Sequence, residues 1–239
     1  MNMNSPNSSQ LLEIVSATRL SEAEFWETAA LGRSLKRLAH DTRLSSSIAF
    51  SNRLGLPVVY NSRIQAESGK ELLVFVHDDV WIDDYFLLER VIDGLREFDV
   101  IGLAGNRRRV PNQALWASIQ TDVLDRNLPL DEAINLSGSV AHGSDPCGGS
   151  VRFYGKSPAR CELMDGLFLA ARKMTLTSNS LFFDPRFDFN FYDLDFCRTA
   201  AQLGLRIGTW PIAVTHQSSG NLDSKWANAY RVYLDKWGT

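Results

Sequence analysis

Two adjacent carboxylates and a histidine follow an apolar segment in the first half of the chain. Leu72–Val76 is continuously apolar, and His77, Asp78 and Asp79 come directly after it. In an open α/β sheet, ligands bind beyond the carboxyl ends of the strands, so these side chains lie where a site is expected. Neighbouring carboxylates repel each other unless they share a cation, and a divalent ion would also bridge to phosphate oxygens. The same residues could instead only begin a turn, because acidic turns after strands are common.

A second acidic pair, Asp193 and Asp195, lies at the start of a predicted helix that ends before Gly204. Asp193 could be a general base among neighbouring aromatic residues, which would raise its pKa by desolvation, whereas the helix N-terminus would lower it. Asp193 could equally be only the N-cap of the helix. The sequence leaves both interpretations open.

Two further segments place polar residues next to predicted strands. His216 follows the apolar segment Leu205–Val214 and precedes a polar loop, so it could be a metal ligand or only a hydrogen-bonded surface residue. Imidazole is acceptable to Mn²⁺ and less natural for Mg²⁺. Asp165 and Gly166 interrupt two apolar runs. Asp-Gly is typical of a β-turn, and the bend could also line a pocket.

The segments that carry these residues alternate between strand and helix patterns. Leu11–Ala17 and Val100–Ala104 are predicted strands, as is the run at 72–76. Ser21 and Glu24 have the spacing of a capping box for a helix over residues 21–40. This βαβ alternation predicts a single α/β domain with a mostly parallel central sheet and helices on both faces.

The remaining segments are less regular. Residues 47–61 are expected to hold short extended pieces around a Gly-Leu-Pro turn. Asp83 or Asp84 could cap a helix whose apolar stripe consists of Leu87, Val91, Leu95 and Phe98. Residues 105–160 are rich in Gly, Ser, Asn and Pro, and we expect loops with short strands that wrap a site. The run Arg107–Arg109 within them could contact an anionic acceptor, although a solvated loop is the plainer interpretation.

Composition excludes several function classes. The chain has 239 residues and a formal net charge of −3 at pH 7, so nucleic acid, which needs clustered positive charge, is not an expected partner. Its three cysteines are widely spaced and indicate neither a disulfide framework nor a zinc knuckle. No apolar run approaches the ~18–20 residues of a membrane span. We therefore expect a cytoplasmic protein, with peripheral association at the inner face of the membrane left open.

The domain organisation is expected to be simple. Residues 1–10 are predicted to form a disordered polar tail, residues 11–220 the α/β domain and residues 221–239 an amphipathic C-terminal helix. Trp226, Tyr230, Tyr233 and Trp237 recur at helical spacing on one face of that helix. This aromatic face could dock on the domain or hold the protein at a membrane or a partner chain.

Taken together, these segments resemble the GT-A glycosyltransferases, and within them a family-2-like group of bacterial enzymes of polysaccharide biosynthesis. The resemblance runs from about residue 48 to residue 220 and rests on segments that match in order: SNRLG from Ser51, YNSRIQAESGKELLVFVHDD from Tyr60, DGLFLAAR from Asp165, YDLDFCR from Tyr192, and His216. The N-terminal strand EIVSATR lacks the family's usual P-x-[YF]-N nucleotide-binding start, and two single positions also depart from the family pattern. His77 stands at the first Asp of the D-x-D motif, and Tyr192 stands at the Glu of the Glu-Asp pair.

The resemblance implies a fold and a set of roles. The fold would be a Rossmann-like GT-A domain, and the activity an inverting, metal-dependent transfer of a sugar from a nucleotide-diphosphate donor, UDP-linked, to a glycan or lipid-linked acceptor. The divalent ion, Mn²⁺ or Mg²⁺, would bind to Asp79 and His216, and Asp193 would be the catalytic base. The implied donor contacts are Asn52, Asn61, His77 and Asp78. The implied acceptor contacts are Asp165, Gly166 and Tyr192.

Two other function classes stay open at this stage. A metal-dependent nucleotidyltransferase also places aspartate pairs after a strand, but the segment SATRLSEAEF after the first strand lacks the expected glycine-rich loop. A non-catalytic GT-A domain that only binds glycans would be consistent with the departures at His77 and Tyr192. Release of free nucleoside diphosphate, of pyrophosphate, or of neither product distinguishes the three classes.

Overall fold

The computed structural model describes residues 11–67, 70–119, 128–218 and 224–238. The predicted tail at 1–10 lies outside these residues. Within them the strands are β1 Leu12–Ala17, β2 Leu44–Ala49, β3 Leu72–Val76, β4 Val80–Ile82, β5 Val100–Gly102, β6 Ala104–Asn106, β7 Leu136–His142, β8 Ser150–Gly155, β9 Ala159–Arg160, β10 Leu163–Met164, β11 Phe168–Arg172, β12 Ile207–Thr209 and β13 Val214–His216. The helices are α1 Glu22–Thr28, α2 Ala30–Leu38, α3 Leu56–Ile64, α4 Leu87–Glu97, α5 Lys173–Ser178, α6 Tyr192–Gln202 and α7 Ser224–Trp237.

The larger sheet has seven strands in the order β2-β1-β3-β11-β5-β12-β9. Pairs β1–β2, β1–β3 and β5–β12 are parallel, whereas β11 is antiparallel to both β3 and β5. The sheet is therefore mixed rather than mostly parallel as the sequence suggested. The chain enters β11 from β10 of the other sheet, through the short Asp165-Gly166 turn, and not through the crossover helix that a parallel neighbour of β3 would require.

Helices cover both faces of this sheet, as expected. Alternate residues of β3 belong to two different cores: Leu73 and Phe75 pack with α3, α5, α6 and α7, whereas Leu72, Val74 and Val76 pack with α1, α2 and α4. A strand that is apolar at every position suits this arrangement, since neither of its faces meets water. The predicted α/β architecture is confirmed in this respect.

A second sheet of six strands lies next to the first, with the path β10-β6-β7-β13-β4 and β8 paired to β7. The chain passes between the two sheets at several places, two of which concern the predicted strands and the site. The predicted strand Val100–Ala104 is divided at Leu103 into β5 and β6, and the connection between β3 and β4 consists of His77, Asp78 and Asp79. The site residues thus lie where the two sheets meet.

Three helix predictions need correction. The capping box of Ser21 and Glu24 is present, but the helix expected over residues 21–40 is interrupted at Ala29, whose backbone is extended. Residues 56–61 are helical rather than extended: α3 begins after Gly55 with Pro57 in its first turn, a position that suits proline. The N-cap of α4 is Phe86 and neither aspartate, although Asp84 Oδ1 accepts a hydrogen bond from the Phe86 amide at 2.9 Å.

The C-terminal helix α7 is packed against the domain. Its residues Trp226, Tyr230 and Tyr233 are buried in the same core as α6. The Tyr230 hydroxyl donates to the carbonyl oxygen of Asn112 at 2.6 Å. Across the described part of the chain, none of the helices combines the length and apolar character that a bilayer span requires.

Candidate functional site

Three side chains at the junction of the sheets form a candidate metal centre. His77 and Asp79, between β3 and β4, and His216, at the end of β13, each offer one ligand atom, and these atoms lie within 4.8 Å of one another. The Nε2 atom of His216 lies 3.4 Å from Asp79 Oδ2, while the buried Asp79 Oδ1 has no hydrogen-bond partner. An unpaired carboxylate oxygen between two imidazoles fits a divalent cation. The sequence predicted Asp79 and His216 as metal ligands and His77 as a donor contact, and the structure brings all three into one cluster.

Charge is retained at this cluster despite burial. Burial alone would raise the pKa of Asp79, but the hydrogen bond and the charge of His216 outweigh it and lower the pKa to about 2. Burial alone would lower the pKa of His216, and its hydrogen bond to Asp79 instead raises that pKa. Asp79 therefore stays ionised, and a cation could replace the imidazole proton as its counter-charge.

Asp78 differs from its neighbour. Burial raises the pKa of Asp78, and a hydrogen bond with Thr18 only partly offsets this. The backbone carbonyl of Asp78 accepts from the Leu31 amide at 3.1 Å. The two adjacent carboxylates thus have different partners, and Asp78 lies outside the three-residue cluster.

The other half of the site is the first turn of α6 and the turn before β11. The Asp193 carboxylate accepts from the Gly166 amide at 2.9 Å and from the Leu194 amide at 2.9 Å. Burial, followed by the charge of Asp165, raises the pKa of Asp193 to about 7. Desolvation therefore prevails over the helix N-terminus. The N-cap of α6 is Phe191, so the simpler interpretation of Asp193 as the N-cap is wrong.

Gly166 permits the close contact between these two turns. Its carbonyl oxygen accepts from the Tyr192 hydroxyl at 2.7 Å, and a Cβ atom at this position would overlap that hydroxyl and lie 2.8 Å from Asp193 Cβ. Asp165 accepts from the Trp116 indole at 3.0 Å and from the Leu167 amide at 3.0 Å. The Asp-Gly pair is thus both a turn and a wall of the site.

The Asp165 carboxylate indicates how closely the site residues cluster. Its charge contributes to the pKa shifts of groups from both halves of the site, namely His77, His142, Tyr154, Tyr192, Asp193 and His216. Hydrogen bonds also link Asp193 to Gly166, Gly166 to Tyr192 and Tyr192 to His77, so these contacts bring together the following predicted residues: Asp165, Gly166, Asp193, His77, Asp79 and His216. Asp78 lies beside them.

Three residues predicted to contact ligands are engaged within the protein. The Asn61 amide is paired with the backbone of Phe183, donating to its carbonyl at 2.7 Å and accepting from its amide at 2.9 Å. Asn52 is paired in the same way with Leu54. Tyr192 is 2% exposed, so its side chain supports the site from behind rather than meeting an acceptor.

Two residues at the site were not identified from sequence. The His142 ring lies 5.8 Å from the His216 ring, and its buried Nε2 has no hydrogen-bond partner. Phe189 is 56% exposed and its ring lies 5.3 Å from the His77 ring. His142 lies at the site because β7 pairs with β13 in a register that places His142 opposite His216. A pattern of neighbouring residues in the sequence does not predict such a pairing.

An internal ion pair engages one of the three residues Arg107–Arg109, which the sequence suggested could contact an anionic acceptor. Arg108 is bound to the buried carboxylate of Asp131. Arg107 lines an open surface cavity of about 480 Å³ together with Arg160 and Glu162. One arginine of the run is therefore structural, and another faces solvent.

Helix α7 packs against helix α6, which carries Asp193. Asp195, fully buried on α6, is paired with Lys236 Nζ at 2.6 Å and accepts from the Trp237 indole at 2.8 Å. Phe191 has a left-handed backbone with φ of 68°, which is uncommon for a bulky residue, and its ring packs on Trp226 and Tyr230. Both contacts lie within two residues of Asp193.

Comparison with known proteins shows the family and the fold of this chain. The sequence profile of the glycosyltransferase-like family matches residues 40–235. No curated protein matches the chain by sequence. Among solved structures, GalNAc-T7 with UDP, GalNAc and Mn²⁺ superposes with a TM-score of 0.52 and 11% identity, over 95% of this chain and 48% of that one. This chain thus spans about half the length of GalNAc-T7. The fold is a GT-A fold.

Two further structures are similar at lower scores. S. aureus TarS 1-349 in complex with UDP gives a TM-score of 0.45 at 12% identity, covering 87% of this chain and 61% of that one. A197 from STIV gives 0.46 at 8% identity, covering 89% of this chain and 97% of that one.

Proposed function

Because the chain belongs to the glycosyltransferase-like family, we propose that this glycosyltransferase moves a sugar from a UDP-linked donor to a hydroxyl of a glycan or lipid-linked acceptor, with inversion at the anomeric carbon. The observation that carries the proposal is that one site contains two features. One is the desolvated carboxylate of Asp193, and the other is the candidate cation-binding cluster of His77, Asp79 and His216. A base and a site for the leaving diphosphate are the two elements that such a transfer needs.

The cation cluster would hold the donor diphosphate. A divalent ion held by Asp79, His77 and His216 would stabilise the negative charge of the leaving nucleoside diphosphate. Two imidazoles and one carboxylate suit Mn²⁺ better than Mg²⁺, which prefers oxygen ligands. The presence of UDP and Mn²⁺ in the GalNAc-T7 structure supports this choice by analogy of fold. Asp78 would adjoin the donor without being a ligand.

Asp193 would take the proton of the acceptor hydroxyl as that hydroxyl attacks the sugar. A carboxylate at its ordinary pKa of ~4 is a weak base, and the raised pKa of about 7 makes Asp193 a better one near neutral pH. The Gly166 amide holds one carboxylate oxygen in place. A single displacement by a hydroxyl activated in this way gives inversion.

The acceptor would lie on the side of Asp165 and of residues 137–160, which hold strands β7 to β9 and the turns between them. Phe189, with its exposed ring beside His77, would bound the same opening. A lipid-linked acceptor would bring the protein to the inner face of the membrane from the cytoplasm.

Product analysis tests the proposal. Purified protein is incubated with UDP-sugars, Mn²⁺ and a panel of glycan and lipid-diphosphate acceptors, and the released nucleotide is measured. Release of UDP with formation of a glycoside of inverted configuration supports the proposal. Release of pyrophosphate would identify a nucleotidyltransferase, and binding of glycans without turnover of any donor would identify a non-catalytic domain.

A further inference from the structure

The two positions that depart from the family pattern contact each other. His77 Nε2 lies 2.8 Å from the Tyr192 hydroxyl oxygen, although the two residues are 115 positions apart in sequence. The same hydroxyl lies 2.7 Å from the carbonyl oxygen of Gly166. One phenol therefore joins the cation cluster to the turn that holds Asp193.

The direction of both hydrogen bonds follows from the number of protons available. A carbonyl oxygen only accepts, so the single phenol proton of Tyr192 is donated to Gly166. Towards His77 the phenol oxygen can then only accept, and the proton in that bond must be on His77 Nε2. A neutral imidazole carries one proton, so the lone pair of His77 is on Nδ1.

We propose that Tyr192 is a positioning residue that fixes the tautomer of His77, so that His77 binds the divalent cation through Nδ1. The inference rests on the proposed metal site. Metal-binding histidines commonly donate their second ring N–H to an oxygen, which fixes the orientation of the ring. Here the oxygen belongs to a phenol instead of the usual carboxylate or backbone carbonyl.

The packing around Tyr192 keeps this arrangement in place. Tyr192 is 2% exposed, and its ring contacts the rings of Tyr60 and Phe183. The Tyr192 hydroxyl lies against the turn because Gly166 has no Cβ atom, which would overlap that oxygen. The buried phenol thus reaches both His77 and the Gly166 carbonyl.

Removal of a single oxygen atom tests the inference. Tyr192→Phe keeps the ring and removes the acceptor for His77. Tyr60→Phe is the matched control, because Tyr60 is equally buried and adjoins Tyr192, but its hydroxyl bonds neither His77 nor Gly166. Neither change alters a ligand of the proposed cluster.

Two measurements on the full chain provide the readouts. The first is ¹⁵N NMR of histidine-labelled, metal-free protein at about pH 8, which is above the ordinary histidine pKa of ~6.5. We expect His77 to be protonated at Nε2 in the unmodified chain and in Tyr60→Phe, and to become a mixture of tautomers in Tyr192→Phe. The second is Mn²⁺ affinity from electron paramagnetic resonance, which we expect Tyr192→Phe to weaken by about 10- to 100-fold.

The outcomes separate this inference from the proposed function. If unmodified protein binds no Mn²⁺, the proposed metal site is wrong, and the metal role of His77 falls with it. If it binds Mn²⁺ but His77 is protonated at Nδ1, or Tyr192→Phe binds Mn²⁺ as tightly as the control, only the inference is overturned. The tautomer of the unmodified protein decides the matter even if Tyr192→Phe does not fold.

Discussion

At the scale of single residues, the two neighbouring carboxylates after β3 have different roles. Asp79 has a buried oxygen without a partner and belongs to the cation cluster, whereas Asp78 is bound to Thr18. We expect Asp79→Ala to abolish Mn²⁺-dependent binding of UDP and Asp78→Ala to weaken it only slightly. Calorimetry with and without Mn²⁺ measures both. Equal losses in the two variants would contradict the assignment of Asp79 as the ligand.

The assignment of Asp193 as the base is tested by removing its charge. Asp193→Asn retains one oxygen that can accept from either the Gly166 or the Leu194 amide, but it loses the second acceptor and cannot take a proton. We expect sugar transfer to fall by on the order of 10²–10⁴-fold while UDP-sugar binding is retained. Asp235→Asn, at an exposed position of α7, is the control. Activity near that of the control would leave Asp193 with a structural role only.

The pH dependence of transfer should report the same group. A base acts only when deprotonated, so with a pKa of about 7 for Asp193 we expect kcat/KM to rise with pH through about 7 and then to level off. The folded state also binds this proton more tightly than the unfolded chain does. Asp193 should therefore make stability fall as pH rises from about 4 to about 7. Both dependences should disappear in Asp193→Asn, as measured by initial rates and by urea unfolding across that range.

The sequence identified most of these residues but not all of their roles. Asp79, His216 and Asp193 follow strands or begin a helix, and those are positions where chemistry is expected from local pattern alone. The support given by Tyr192 and the proximity of His142 depend on pairing between distant strands and helices. Because such pairing is set by the whole fold, no spacing within the chain predicts it.

At the scale of elements, the turn before β11 and the first turn of α6 form one unit through Gly166. We expect Gly166→Ala to push Tyr192 and Asp193 away, to lower stability by about 1–3 kcal/mol, and to lower transfer activity more than that loss of folded protein explains. Gly204→Ala is the comparison: it has a left-handed φ of 75° but open space around it, so it should lower stability by about 1 kcal/mol without affecting the folded enzyme's activity. Thermal unfolding and initial rates separate the two. Full activity in folded Gly166→Ala would show that the contact is not needed.

Element boundaries show where sequence patterns were insufficient. The capping box and the apolar stripe of α4 were identified because they depend on neighbouring residues. The break at Ala29 and the division of Val100–Ala104 between two sheets were not, since both arise where the chain meets another element. The antiparallel insertion of β11 has the same origin.

At the scale of the whole molecule, α7 closes the core beside the site. Its Lys236 is the cation next to the buried Asp195. We expect Lys236→Ala to destabilise the protein by about 3 kcal/mol, because a buried carboxylate is left with little compensation. The double variant with Asp195→Asn should recover part of that loss, and Lys225→Ala, exposed on the same helix, should change stability little. Urea unfolding of the set measures this coupling, and additive losses would show that the pair does not interact.

The contact between His77 and Tyr192 has a consequence for how this sequence can diverge. With its only proton given to Gly166, the phenol oxygen presents a lone pair to position 77. An aspartate there would set a carboxylate against that lone pair, and a phenylalanine at 192 would leave the imidazole N–H without an acceptor. Substitution of either residue alone is therefore unfavourable, and replacement of both removes the conflict. We expect His77 and Tyr192 to covary among relatives of this chain. Relatives that carry both residues would then form a subgroup that can be identified from these two positions of a sequence alignment.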